Sequence, residues 1–60
     1  MNTHNFVRVE NQFINLSSIR YADWYKEEPQ IILYFETGEP LTLTGESAIR
    51  MATILDRMAG

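Results

Sequence analysis

The chain predicts an α+β fold: a small antiparallel sheet of three to five strands with one C-terminal helix packed on one face. Three observations carry that prediction. Residues 30–36 alternate Ile31, Leu33 and Phe35 against Ile32 and Tyr34, the period-two pattern of a strand. Gly38 follows at the spacing of a tight turn, ahead of a second alternating run with Leu41 and Leu43. From Gly45 onward the period changes. Ala48, Met51, Ala52, Leu55, Met58 and Ala59 fall on one face at about 100° per residue, which is helical spacing.

Size fits one mini-domain over residues 1–60. A domain this small buries only about 60% of its unfolded surface, and such a core rarely supplies more than roughly 3–5 kcal/mol of net stability. Disulfides and thiolate zinc sites are excluded, because the chain has no cysteine. The single histidine, His4, belongs to a polar start, residues 1–4, expected to fray rather than to hold a metal. Oligomerisation is the remaining source of stability.

In chain order, residues 5–9 and 12–16 are short β-prone runs around a Glu10-Asn11 turn pair, as two strands or as one. Ser17-Ser18 interrupts the pattern. Residues 19–25, Ile-Arg-Tyr-Ala-Asp-Trp-Tyr, read as an aromatic-rich strand, and Lys26 to Pro29 as a polar loop. The next hairpin depends on its loop count. With Glu36-Thr37-Gly38 as the loop, Phe35 faces Glu39, Leu33 faces Leu41 and Ile31 faces Leu43. Gly38 then takes the left-handed position of a type I turn with a G1 bulge. A two-residue loop would split the apolar set between faces, so burial favours the longer one. Pro40 cannot donate to a ladder and suits an edge.

Thr44 is expected to cap a helix at about 45–59, with Glu46 in its first turn, where a negative charge suits the dipole. Ile49 and Ile54 flank the apolar stripe, Arg50 and Arg57 lie on the solvent side, and Leu55 is the expected central anchor.

One helix covers one face of such a sheet. Ile32 and Tyr34 then point the other way, because side chains alternate across a strand. A four-residue loop at 26–29 pairs Trp24 with Ile31 and Ala22 with Leu33 on the helix side, and sets Tyr21 opposite Tyr34 on the open face. A five-residue loop exchanges the two sets. Tyr21, Trp24, Tyr25, Ile32 and Tyr34 are therefore the candidate interface residues. The competing expectation is that the N-terminal segment, with Phe6, Phe13 and Ile14, folds over that face.

The chemistry of catalysis is missing. Ser17, Ser18 and Ser47 have no histidine partner for acyl transfer, Glu27-Glu28 reads as a solvated turn, and Asp23 as a satisfied or exposed strand residue rather than a general base. Carboxylates at 27, 28, 36 and 39 lack the spacing of a calcium loop. No enzyme activity, cofactor, metal or small-molecule substrate is expected.

The net charge is −3 at pH 7, and no two of the five basic residues are adjacent. Neither nucleic acid nor an anionic membrane surface is favoured by that pattern. No apolar run reaches the roughly 20 residues of a membrane span, and the first residues lack the design of a signal peptide. A cytoplasmic setting follows as an expectation. Two function classes remain. One is a structural or interaction module that pairs with its own copy or another protein through the open face. The other is a small regulatory factor contacting nucleic acid or a transcription component, which needs folding to gather Arg8, Arg20 and Lys26.

Across residues 13–55, the order of Asn15, Ile19, Pro29, Gly38 and the Thr44-Gly45-Glu46-Ser47 ahead of the helix resembles the short bacterial proteins of the flagellar-operon swarming-motility type. The spacing of Phe35, Gly38, Leu41 and Leu43 is similar to many short bacterial and phage proteins with F-x-x-G-x-x-L-x-L before a helix. The resemblance implies a small non-enzymatic bacterial protein and assigns no functional residue.

Overall fold

The computed structural model describes residues 5–59; His4 and the rest of the expected frayed start lie outside them. The α+β prediction holds. Strands β1 (Phe6–Val9) and β2 (Gln12–Asn15) form a hairpin, followed by a 3-10 turn at Leu16–Ser18. Strands β3 (Ile19–Tyr25), β4 (Gln30–Phe35) and β5 (Leu41–Thr44) form an antiparallel sheet with β4 in the middle, and α1 spans Gly45–Ala59. Residues 5–16 thus make two strands. The break expected at Ser17-Ser18 begins at Leu16, where Asn15 Oδ1 accepts from the Ser17 amide at 3.0 Å.

Both loop counts in the sheet are settled by register. Ile31 pairs with Leu43 and Leu33 with Leu41, as the longer turn requires, and Gly38 has φ 86°. The ladder stops at Leu33–Leu41, so Phe35 and Glu39 do not pair. Trp24 pairs with Ile31 and Ala22 with Leu33, the four-residue alternative. At the start of β3 a bulge places one extra residue, Arg20, between the Ile19–Phe35 and Tyr21–Tyr34 pairs. Without it, Ile19 and Ala22, three apart, could not both pack against the core.

Val9, Ile14, Ile31, Leu33, Leu43, Ala48 and Met51 form the buried core. Its sheet members all belong to one face, so the hairpin contributes Val9 and Ile14 to the side that α1 covers. Phe6 and Phe13 point away, 60% and 70% exposed. The N-terminal segment therefore does not fold over the open face. Alternation explains this: Val7 and Ile14 are opposite each other, Arg8 and Phe13 are the next pair, and only one set can face inward.

The helix buries the expected face, with Arg50 and Thr53 exposed, but its anchor lies one turn earlier than expected. Ala48 and Met51 are fully buried, Leu55 is only half-buried, and Met58 is exposed. A 15-residue helix is about 22 Å long, whereas three strands spaced about 4.8 Å apart give it roughly 14 Å to cross. Its last turn, residues 56–59, is exposed. The helix joint also differs. Gly45 takes φ 65° and donates its amide to the Pro29 carbonyl at 3.1 Å, so glycine turns β5 directly into α1 where a Thr44 cap was expected.

Candidate interaction surface

Alternation sets Tyr21, Asp23 and Tyr25 of β3, Ile32 and Tyr34 of β4, and Thr42 of β5 on the face away from the helix. Tyr21 and Tyr34 are directly opposed and stack, ring centroids 4.5 Å apart and planes 18° from parallel. Tyr21 and Tyr25 are exposed, while Ile32, Tyr34 and Asp23 are half-buried. Four of the five candidate residues, Tyr21, Tyr25, Ile32 and Tyr34, thus share one surface. Trp24 does not. It lies on the helix side, lining a groove between β3 and α1 with Ala22, Lys26, Ile49, Leu55 and Asp56.

The tyrosine surface is electrostatically quiet for its polarity. The Tyr34 phenol is raised above the ordinary tyrosine value, first by desolvation, then by the charge of Asp23 and hydrogen bonding with its carboxylate, and then by Tyr21 and Tyr25. It stays a neutral donor at physiological pH.

The basic residues are not gathered. Arg20 lies near the start of β3 and Lys26 just past its end, six residues apart, about 20 Å at 3.3 Å per residue. Arg8 sits on the hairpin, its guanidinium 5.9 Å from the Phe13 ring centre and its Nε donating to the Glu10 carbonyl at 3.2 Å. Its neighbour is Arg50, which donates to the Arg8 carbonyl at 3.4 Å.

Sequence reasoning missed the tie between hairpin and helix. Ser47 Oγ donates to Glu10 Oε2 at 2.7 Å across 37 residues, so this serine fastens the hairpin to the helix. Among the described residues, no group of three His, Asp or Glu side chains is arranged to hold a metal ion, and no helix is long and apolar enough to cross a membrane. Searches against protein-family models, curated proteins and solved structures found no match.

Proposed function

We propose that the chain is a non-enzymatic interaction module that joins copies of itself through the open face of its three-stranded sheet. One observation carries this reading: helix and hairpin both pack on the same side of the sheet, leaving the Tyr21–Tyr34 stack, Tyr25 and Ile32 without cover. Contiguous apolar surface of this kind marks interaction sites, and tyrosines are favoured anchors there because they bury a large ring while keeping a donor. The reading keeps the cytoplasmic setting expected from the sequence.

Light scattering coupled to size exclusion, run over a concentration series, tests it. The native chain is expected to run above the 7.0 kDa of one copy. Tyr34→Glu, which puts a charge in the middle of the face, should give a lighter species, and Tyr34→Phe should behave as the native chain. A Tyr34→Glu protein of unchanged mass overturns the reading.

A further inference from the structure

The sheet has two edges, and they are protected unequally. β5 is four residues long and follows Pro40, which has no amide to offer a neighbouring strand. β3 is seven residues long, contains no proline, and has no strand on its outer side among the described residues. Its bulge at Arg20 disturbs only the first end. From Ala22 to Tyr25 it is a regular edge, the kind of template that invites another strand. Beside that edge runs the β3–α1 groove, where Trp24 is 40% and Ile49 49% exposed.

We propose that this edge and groove receive the same edge and groove of a second copy, the two β3 strands pairing antiparallel about a two-fold axis at Trp24. This contact goes beyond the open-face reading and shares with that face the rim residues Asp23 and Tyr25. Such an interface is isologous, so the strand must complement itself in reverse, and charge selects the register. An axis at Asp23 sets Asp23 against the partner's Asp23, a like-charge pair that destabilises a sheet. An axis at Ala22 draws the bulge into the ladder. With the axis at Trp24, Tyr25 faces the partner's Asp23, a phenol against a carboxylate. Lys26, the first residue past the strand, comes beside the partner's Ala22 at the groove that Asp56 also lines, and the bulge falls outside the paired segment.

The β3 side offers a strand edge and the flank of a helix about 10 Å thick, and pairing there buries Trp24, the largest exposed ring.

The chain has no cysteine, so a single introduced thiol reports a two-fold axis. Trp24→Cys is expected to form a disulfide-linked dimer under mild oxidation, because self-opposed residues in an antiparallel pair have Cβ atoms about 4.5–5.5 Å apart. Asp23→Cys and Ala22→Cys should link far less. Preferential linking at either of those positions overturns the register. Since Trp24→Cys also removes the anchor, charge reversal gives a second measurement. Lys26→Glu should raise the dissociation constant by roughly tenfold, because the pair with Asp56 occurs twice about the axis, and adding Asp56→Lys should recover it. A double variant no better than the single, in a native chain that does self-associate, overturns the edge contact and leaves the open-face reading standing. A native chain that stays at 7.0 kDa at every concentration overturns both.

Discussion

At the scale of single residues, three backbone positions hold conformations that most side chains resist: Gly38 at φ 86°, Gly45 at φ 65° and Glu10 at φ 58°. At both glycines an added Cβ would meet no atom within 4 Å, so any cost of substitution comes from the backbone and not from crowding. Gly38→Val should therefore destabilise by about 1–3 kcal/mol, and Gly38→Asn by clearly less, because asparagine tolerates the left-handed region. Equal melting temperatures for the two variants would contradict a strain mechanism. Glu10 is the more informative case. It is the first residue of a two-residue hairpin turn, where glycine is usual, yet its carboxylate accepts from Ser47 at 2.7 Å and its carbonyl from Arg8. Removing the first of these bonds with Ser47→Ala should cost about 0.5–1.5 kcal/mol, toward the lower end because the bond is exposed. Chemical denaturation of Ser47→Ala, Glu10→Gly and the double variant measures the coupling, which vanishes if the tie contributes nothing.

At the scale of elements, the helix makes the sharpest prediction. Met51 is fully buried in the core with Ile31, Leu33 and Leu43, and Leu55 only half-buried. Met51→Ala should cost about 2–5 kcal/mol, comparable with the whole stability of a domain this small, while Leu55→Ala should leave a folded protein. The reverse order in urea unfolding would place the anchor at Leu55 after all. That shift of one turn separates what sequence alone could yield from what it could not. Strand register was readable because a wrong count moves Ile31, Leu33, Leu41 and Leu43 off a common face, a penalty visible in the letters. The helix face was readable for the same reason. Where the helix stops touching the sheet depends on how wide the sheet is and how the helix crosses it, and no periodicity encodes that. Hairpin placement was hidden likewise. Phe6 and Phe13 are the larger residues, but the turn at Glu10-Asn11 puts Val9 and Ile14 inward instead. Trp24 shows the limit within the site: pairing with Ile31 was one of two open counts, and the four-residue loop alone decided which face it joined.

At the scale of the whole molecule, the proposed tyrosine-face and β3-edge contacts have axes that cannot coincide. A two-fold relating open faces runs parallel to the sheet, whereas one relating β3 edges stands across it. Perpendicular two-folds that intersect generate a closed four-copy assembly, and axes that miss each other generate an open fibre, the hazard of an unguarded edge strand. Tyr34 and Trp24 point to opposite sides of the sheet, so substitutions at these two positions should act nearly additively. Tyr34→Glu is expected to leave an edge-paired dimer, and Trp24→Glu a face-paired dimer. The double variant should run as a single copy of 7.0 kDa. Each single dimer should also show its own protection in hydrogen exchange. In the Tyr34→Glu protein the β3 amides should slow as concentration rises, because pairing fills that edge; in the Trp24→Glu protein they should not. If both single variants run as monomers, the contacts are one interface seen from two sides, and the axis at Trp24 is wrong.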